Sequence, residues 1–559
     1  MPGQAGAQSP TSTVASAPDP VVEALRERVD ALAAGAAVTF DDELLRAANS
    51  LPQLYQANGY RPLWDGARLQ SLLDVLRDVE DDGLRSSDYH EPALRRLLAA
   101  ADRGPALERA KLDLLATDAY ALLVYHLYFG KVDPVAIEST WNFARREIDT
   151  LDALTFVLNA IRSNRVRSSL DAVRPANWLY AAGRAALAAH RGIAALGGWP
   201  TVPAGPTLRP GDSDPRVPAL RARLMVTGEL ATATAPTFAA ASALTAPAAA
   251  VAAAATAAES FDPAVEAALR RFQRRHRLGV DGNLGAATLR ELNVPVEQRI
   301  DQIRLNLERG RWVLHEIKDG DLVVVDIAGF EVRYLQNQKT VWQTRAQVGR
   351  PFRETPIFRS TIDHVVLNPT WTVPPTILAK DILPELRKDR GYLARKGLVL
   401  LDRNGHLLDP RSIDLPRSGG FPYTVRQEAG PGNALGVVKI MFPNPYHVYL
   451  HDTPSKSLFD QDTRAFSSGC IRTERPLELV YRLFATDPNW TPAALQSALA
   501  TGQTRTVRLP KPVPVLMIYW TVDRDDDGSV VFKPDPYGRD PKLLAALNAP
   551  FVVGRREAP

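Results

Sequence analysis

The chain has 559 residues, of which 45% are hydrophobic and 23% charged, so several folded domains are expected and a wholly disordered protein is excluded. The formal net charge is only +4 and the arginines are spread along the chain, which argues against a nucleic-acid-binding protein. No run reaches the ~18 strongly apolar residues of a membrane-spanning helix.

The N-terminal residues 1–20 are rich in Pro, Ser, Ala and Gly, which predicts a disordered tail. This tail has neither a charged n-region nor a long apolar h-region, so no intact signal peptide is visible. The small residues Ala5 and Ala7 would suit the site just before a cleavage. Removal of an export signal is therefore a hypothesis, and one cysteine fits either an oxidising or a reducing compartment.

Residues 21–200 carry a helical pattern, in which Leu25, Val29 and Leu32 recur at helical spacing and 112–129 is strongly apolar. The pattern predicts a helical scaffold domain. A Pro/Gly-rich linker follows, and residues 206–295 form a second, smaller helical segment. Within it, Asp212 and Asp262 are placed to cap helices. An Ala/Thr/Pro-rich stretch, 228–260, interrupts this segment.

From 297 to 545 the pattern changes to alternating and β-branched runs joined by short turns, which predicts a mostly antiparallel β domain. The strand pattern lapses between 376 and 428, where 377–388 is helical in pattern and the rest is typical of loops. So long an excursion inside a β domain predicts a functional lid. The fold class expected is α+β multidomain.

Cys470 is the only cysteine, in the run Ser467-Ser468-Gly469-Cys470-Ile471-Arg472. One cysteine excludes an internal disulfide and a thiolate metal cage. What remains is a small buried residue or a nucleophile. A preceding glycine and a histidine within folding reach favour the nucleophile.

Two histidines upstream are candidate bases for this thiol, His447 and His451. They have the same parity, so on a strand both would share a face. We prefer His451, because a His-Asp pair at a strand end points into a loop region. The tight turn at Ser468 and Gly469 could supply backbone N–H groups for an oxyanion.

The whole constellation resembles the L,D-transpeptidase (YkuD-type) catalytic domain. The segments that carry the resemblance are Val348-Gly349-Arg350-Pro351 with Thr355-Pro356, Asn433-Ala434-Leu435-Gly436, His451-Asp452-Thr453-Pro454 and the run around Cys470. The segment 206–295 resembles the small three-helix peptidoglycan-binding module. Together with the helical N-terminal region, these features are similar to the large multidomain periplasmic branch of the family, in which the segment after Pro374-Pro375 is a capping lid.

The resemblance implies a peptidoglycan L,D-transpeptidase that forms 3→3 cross-links through a cysteine thioester and releases D-Ala. Cys470 is then the nucleophile and His451 the base, with Ser468 and Gly469 at the oxyanion site. Substrate-binding candidates are Arg472, Trp371, Tyr449 and Asn433. Arg472 could instead make a structural salt bridge, and Trp371 and Tyr449 could be ordinary packing. Ser468 stands where many members have histidine, which removes a second base.

The resemblance further implies peptidoglycan stem peptides and glycan strands as partners, with penicillin-binding proteins, carboxypeptidases and carbapenem inhibitors as further ones. It implies no cofactor, no metal, no nucleic acid and a periplasmic location. Three alternatives stay open. The domain could be a Cys-His L,D-carboxypeptidase with water as acceptor, an exchange enzyme, or a catalytically inactive wall-binding scaffold. The small module could bind glycan or only space its neighbours.

Overall fold

A computed structural model describes residues 19–100, 104–148, 150–230, 259–413, 415, 421–525 and 527–551. The predicted disordered tail lies outside these residues except at its end, where Asp19 caps a helix that begins at Pro20. Most of the Ala-rich stretch 228–260 also lies outside them. The described residues divide into two compact units, which draw on Met1–Lys131, Arg146–Arg174 and Ala549–Pro559, and on Val132–Arg145 and Pro175–Asn548.

The first unit is helical. Its helices are Pro20–Ala33, Leu51–Ala57, Gly66–Asp78, Glu91–Ala100, Ala106–Phe129, Thr150–Arg162 and Val166–Val173, with 3-10 turns Val79–Asp82 and Ser86–Tyr89 and two short paired strands, β1 (Thr39–Phe40) and β2 (Glu43–Leu44). Helix Ala106–Phe129 is its centre, since buried residues occur on all sides. Its buried Asp113 accepts hydrogen bonds from the Leu63 and Trp64 amides and the Tyr55 hydroxyl, which satisfies the carboxylate.

The helix Trp178–Ala195 belongs to the second unit, so the unit boundary lies before the predicted domain end at 200. The physical reason is packing against helix Val296–Val313. Tyr180 accepts a hydrogen bond from the buried Arg311, and Gly183 allows Leu307 so close that an added Cβ would lie 2.9 Å from it.

The small module of the second unit has helices Val217–Val226, Pro263–Arg275 and Ala286–Leu292 around one apolar core. The prediction for Asp262 is confirmed, because its carboxylate accepts the amides of Ala264 and Val265. The prediction for Asp212 is wrong. Its carboxylate accepts the Arg209 amide within a loop, and the next helix begins only at Val217.

The strands of the second unit number on in chain order. They are β3 (Asp321–Asp326), β4 (Glu331–Gln336), β5 (Lys339–Gly349), β6 (Phe358–Leu367), β7 (Trp371–Thr372), β8 (Leu398–Leu401), β9 (Leu407–Leu408), β10 (Thr424–Gln427), β11 (Val438–Met441), β12 (Leu450–His451), β13 (Ala465–Ser467), β14 (Ile471–Thr473), β15 (Arg505–Ile518), β16 (Val522–Arg524) and β17 (Val530–Phe532).

The main sheet has the order β13-β5-β14-β12-β11-β6-β15-β3-β4, and β4 also pairs with β5. That additional pairing closes the strands from β5 to β4 into a barrel, and β13 is left paired with β5 alone. Most pairs are antiparallel, as predicted, and β12–β14, β13–β5 and β15–β3 are parallel. The expected α+β multidomain class is confirmed.

The segment predicted as a lid, 376–428, holds β8, β9 and β10, which with β7 just before it form a small sheet of order β7-β10-β8-β9 with its own apolar core. Helical turns Pro375–Ile377, Leu383–Lys388 and Tyr392–Arg395, with the π-helical Leu378–Ile382, complete it. The predicted helix 377–388 is present. The prediction of loops beyond it is wrong, since Leu398 and Leu400 of β8 are buried in the lid core.

The remaining helices of the second unit are Pro134–Ile137, Pro476–Leu483, Pro492–Ala500 and Asp540–Asn548, with 3-10 turns Leu314–Glu316 and Lys456–Asp460. Among the helices of the described residues, none is both long and apolar enough to cross a membrane. The same residues contain no group of three or more His, Cys, Asp or Glu side chains arranged to hold a metal ion.

Candidate active site

Strands β12 and β14 run parallel and bring the segment of His451 next to the segment of Cys470. Leu450 pairs with Ile471 and His451 with Arg472, and the Ile471 amide donates to the Tyr449 carbonyl at 3.0 Å. His451 and Arg472 are therefore neighbours on one face of the sheet, and Cys470 lies in the turn directly before β14.

The strand β12 ends at His451 because the following turn is fixed by Asp452. The Asp452 carboxylate accepts the Val437 amide at 3.0 Å and pairs with Lys456 at 2.6 Å. Gly436 makes room for it, since an added Cβ would lie 2.2 Å from that carboxylate, and its φ is +59°. The side chain of Asp452 therefore holds the backbone that carries the histidine.

The imidazole of His451 is buried, and its Nδ1 lies 2.5 Å from the Asp452 carbonyl oxygen. A carbonyl only accepts, so Nδ1 carries the proton and Nε2 keeps its lone pair. Burial lowers the pKa of His451 to about 3, and the positive charge of Arg472 acts in the same direction. At neutral pH the imidazole is uncharged, which is the state a general base needs.

The thiol of Cys470 is partly buried, with Sγ 3.7 Å from the His447 carbonyl oxygen. Burial raises its pKa, while hydrogen bonds from Tyr449 and the charges of Lys439 and Arg472 oppose that rise. The resting pair is a neutral thiol beside a neutral imidazole, so the proton moves during attack.

His447 lies outside the strand, so the prediction that it shares a face with His451 is wrong. Its φ is +55°, in the left-handed region, and its side chain is exposed. Only its backbone carbonyl faces the thiol. Strand β12 spans just Leu450–His451, so the alternation of side chains along it does not extend to His447.

The turn before the nucleophile is held by Ser467. Its hydroxyl donates to the Cys470 carbonyl at 2.5 Å and accepts the Gly469 amide at 3.0 Å. Gly469 is therefore not an available oxyanion donor, which corrects the prediction for that amide. Its φ of +114° explains the glycine. Among the described residues, no protein acceptor takes the Cys470 amide, and the exposed Ser468 accepts from Arg353 at 3.0 Å through its hydroxyl.

Tyr449 lies beside the nucleophile. Its phenol makes hydrogen bonds with the Cys470 thiol and with the Trp371 indole, and burial raises its pKa. Its ring lies edge-on to His451 with centroids 5.6 Å apart, and the ammonium of Lys439 is 3.9 Å from its centroid. Trp371 belongs to β7 and packs on the lid core, so these contacts connect the lid to the thiol.

Arg472 has no carboxylate partner among the described residues. Its Nη1 donates to Gln347 at 3.1 Å, and its buried Nε has no hydrogen-bond partner. Burial lowers its pKa and the neighbouring Arg350 adds to that effect. The alternative of a structural salt bridge is therefore not realised, and the site presents unneutralised positive charge.

Asn433 is a structural residue, which contradicts its prediction as a substrate-binding one. It is 1% exposed, and its amide nitrogen donates to the carbonyls of Pro369 and Glu428 at 3.0 and 2.8 Å. Its oxygen accepts the Leu435 amide at 2.8 Å. Both ends of the side chain are thus committed to the backbone, and no group remains for a ligand.

Three residues near the site were missed from the sequence as functional candidates, namely Lys439, Arg353 and Thr355. Lys439 pairs with His451 across β11 and β12, so its spacing on an alternating strand was the available signal. Arg353 bridges Ser468 and Asp381 of the lid, with a 2.9 Å bond to the latter. Thr355 donates to the Gly469 carbonyl at 2.8 Å. The contacts of Arg353 and Thr355 join segments that lie far apart in sequence, so no local sequence pattern reveals them.

Three family models match the chain. A scaffold domain matches residues 49–187, a peptidoglycan-binding domain matches 253–292, and the L,D-transpeptidase catalytic domain matches 320–488. A Haemophilus influenzae protein described as an L,D-transpeptidase is 34% identical over 259 residues. That alignment covers 46% of this chain and 52% of the relative, so the chain spans about half of the relative's length.

Solved structures with some likeness include an L,D-transpeptidase from Stackebrandtia nassauensis. It is 13% identical with a TM-score of 0.21, over 57% of this chain and 96% of that one. Another is an L,D-transpeptidase in complex with imipenem, 16% identical with a TM-score of 0.17, over 35% of this chain and 59% of that one. The resemblance seen in the sequence is confirmed by the family matches, since residues 320–488 match the L,D-transpeptidase catalytic domain and residues 253–292 match a peptidoglycan-binding domain.

Proposed function

We propose that this protein is a peptidoglycan L,D-transpeptidase that forms 3→3 cross-links between stem peptides. The observation that carries the proposal is the pairing of β12 with β14, which brings His451 beside Arg472 and close to the turn of Cys470, with Nδ1 of the imidazole bonded to a carbonyl and Nε2 left to accept a proton. A nucleophile, an oriented base and an uncommitted Cys470 amide are the parts that acyl transfer requires.

In the first half-reaction the Cys470 sulfur attacks the carbonyl that joins the third stem residue, a diamino acid, to the terminal D-Ala. The thiol proton passes to Nε2 of His451 as the C–S bond forms. The resulting imidazolium then protonates the leaving amine, the C–N bond breaks and D-Ala departs. A thioester to Cys470 remains.

In the second half-reaction the side-chain amine of a diamino acid on a neighbouring stem attacks the thioester. Neutral His451 takes the proton of that amine, the C–S bond breaks and the thiol is restored. A developing negative charge on the oxygen in either half is stabilised by the Cys470 amide. The products are a 3→3 amide and free D-Ala, so atoms and protons balance without a cofactor.

The charge of the site supports a substrate that carries carboxylates. Arg472 lacks a carboxylate partner among the described residues and lies near Arg350, and Lys439 rests on Tyr449 without an ion pair. Stem peptides end in a carboxylate and carry another on the diamino acid. We assign Arg472 to one of these carboxylates, with Trp371 and Tyr449 as pocket walls and the small module holding glycan strands.

The proposal is tested by intact-protein mass spectrometry with a disaccharide tetrapeptide. The wild type should gain the mass of the acyl donor minus D-Ala, and Cys470→Ser should gain none as a thioester. His451→Gln should slow acylation by about a hundredfold or more, the usual contribution of a general base. Acylation at the wild-type rate in His451→Gln would refute His451 as the base.

The reaction products identify the molecule that accepts the acyl group. A cross-linked dimer supports transpeptidation, a tripeptide monomer supports an L,D-carboxypeptidase, and incorporation of an added D-amino acid supports exchange. No turnover together with binding to sacculi would support a scaffold role. A carbapenem should add its mass at Cys470. These activities place the protein in the periplasm, where penicillin-binding proteins and carboxypeptidases are the partners that supply tetrapeptides.

A further inference from the structure

The peptide that links Gly469 to Cys470 is held from the side opposite its N–H. The Gly469 carbonyl accepts a 2.8 Å hydrogen bond from the hydroxyl of Thr355, a residue with no exposed surface. A trans peptide is planar, with its C=O and N–H pointing in opposite directions, and no cis peptide bond occurs in the described residues. The Thr355 hydroxyl therefore sets the direction of the Cys470 N–H.

Thr355 is itself fixed at two points. Its Oγ1 accepts the Gly349 amide at 2.9 Å, so the hydroxyl proton is left for the Gly469 carbonyl. Its own amide donates to the phenol oxygen of Tyr537 at 3.1 Å. Gly349 permits this close loop, because an added Cβ would lie 2.1 Å from the Arg353 carbonyl oxygen.

Tyr537 completes the arrangement from beyond the matched catalytic domain. Its hydroxyl donates to the Gly349 carbonyl at 2.8 Å while accepting from Thr355. Its backbone amide donates to Tyr519 at 3.0 Å, and the two rings stack with centroids 5.7 Å apart. The hydroxyls of Thr355 and Tyr537 thus each accept one backbone amide and donate to one backbone carbonyl.

We propose that Thr355 and Tyr537 are positioning residues for the oxyanion hole, acting through the orientation of the Gly469–Cys470 peptide. The inference rests on the proposed acyl transfer and adds two residues to it. Neither touches the reacting atoms. Their role is to hold the Cys470 amide at a fixed angle, which matters because a preorganised donor needs no reorganisation when charge develops.

The test compares two reactions of the same thiol. Acylation by a carbapenem develops an oxyanion, whereas alkylation by iodoacetamide is a displacement at carbon that develops none. Thr355→Val keeps the shape and removes the hydroxyl, and it should slow acylation by about tenfold to a hundredfold. Alkylation should stay within about twofold of the wild type, a margin well below a single lost hydrogen bond. Thr355→Ser should restore acylation.

A second variant guards against misfolding of the first. Tyr537→Phe should show the same selective loss, smaller than that of Thr355→Val because it acts one hydrogen bond further away. Thr361→Val and Tyr481→Phe are the matched controls, since Thr361 is an exposed residue of β6 and Tyr481 only accepts a surface bond from Gln496.

The outcomes separate this inference from the proposed function. Equal loss of acylation and alkylation, or loss of neither, in both variants overturns the positioning role while leaving the nucleophile intact. Wild-type protein that is alkylated but never acylated by a carbapenem or a tetrapeptide overturns the proposed function as well. Selective loss of acylation with rescue by Thr355→Ser supports both.

Discussion

At the residue scale, opposing influences set the reactivity of Cys470. Burial raises the pKa of the thiol, and the hydrogen bonds of Tyr449 with the charges of Lys439 and Arg472 lower it. Burial is the largest of these influences, so the thiol pKa does not by itself distinguish an enzyme from a wall-binding scaffold. The feature that a general base requires, a neutral and oriented imidazole, is present in His451.

Lys439 offers a direct test of this balance. Lys439→Gln removes a cation from the face of the sheet that carries the thiol, so the pKa of Cys470 should rise. The rate of iodoacetamide alkylation at pH 7.5 should fall by about threefold to tenfold, the effect of one partly screened charge. The inflection of its pH profile should move to higher pH. Lys339→Gln, at an exposed position of β5, is the control. An unchanged profile would contradict the electrostatic role.

Residue identities were the most predictable part of the site. Cys470 and His451 stood out because the sequence offers one thiol and a His-Asp pair beside a strand. Asn433 was misassigned, since a motif shows that a residue matters without showing whether its partner is a ligand or the backbone. Tyr537 could not be found, because the Gly349 carbonyl it binds is 188 positions away in sequence.

At the element scale, the lid is coupled to the nucleophile by two contacts. The Trp371 indole of β7 makes a hydrogen bond with the Tyr449 phenol, which in turn makes a hydrogen bond with the Cys470 thiol. Arg353 bridges Asp381 of the lid and the Ser468 hydroxyl. The pKa of the Asp381 carboxyl is lowered chiefly by its hydrogen bond to Arg353. A rearranged lid would therefore change the surroundings of the catalytic turn.

Asp381→Asn should loosen this end of the lid. The exposed side of the ion pair limits its contribution to ~0.5–1 kcal/mol, so hydrogen exchange within 378–388 should quicken about threefold. Glu385→Gln breaks the exposed Lys388–Glu385 pair on the same segment and is the control. Exchange that quickens equally in both variants would show that Arg353 gives the lid no special anchor.

The β elements were predictable by type, whereas their closure was not. Alternating and β-branched runs predicted β3, β4, β5, β11 and β15. The β4–β5 pairing joins the last strand in the sheet order to the second, and no local sequence pattern encodes that closure. The lid strands were missed because β8 to β10 have two to four residues each, shorter than the runs on which periodicity can be judged.

At the scale of the whole molecule, the two units should respond to acid in opposite ways through their buried histidines. In the second unit, burial lowers the pKa of His190 to about 4 and those of His276 and His451 to about 3. In the first unit, burial opposes protonation of His90, but hydrogen bonds to Asp118 and Glu43 raise its pKa. Within the second unit, His276 connects the small module to the region beside the barrel, because its ring stacks on that of Phe532 in β17.

The direction of each effect on stability depends on whether the folded or the unfolded state binds more protons. Unfolded histidine protonates near pH 6.5, but folded His276 does not until about 3, so the unfolded state binds more protons in between and stability falls with acid. His276 should cost the second unit roughly 1–2 kcal/mol at pH 5. His90 contributes the reverse, a stabilisation present below pH 6.5 and lost as pH rises through its raised pKa.

Thermal unfolding between pH 5 and 7.5 tests this. His276→Gln should flatten the pH dependence of the transition that belongs to the second unit, and His406→Gln, at an exposed position, should leave it unchanged. An equally steep dependence in His276→Gln and wild type would show that the acid sensitivity has another source.

The proposed function requires that Cys470 makes cross-links. The decisive measurement is mass spectrometry of muropeptides after purified tetrapeptide substrate is incubated with the wild type and with Cys470→Ala side by side. We predict 3→3 dimers and one released D-Ala per dimer from the wild type, and neither from the variant. Dimers at the wild-type rate from Cys470→Ala would contradict the central claim.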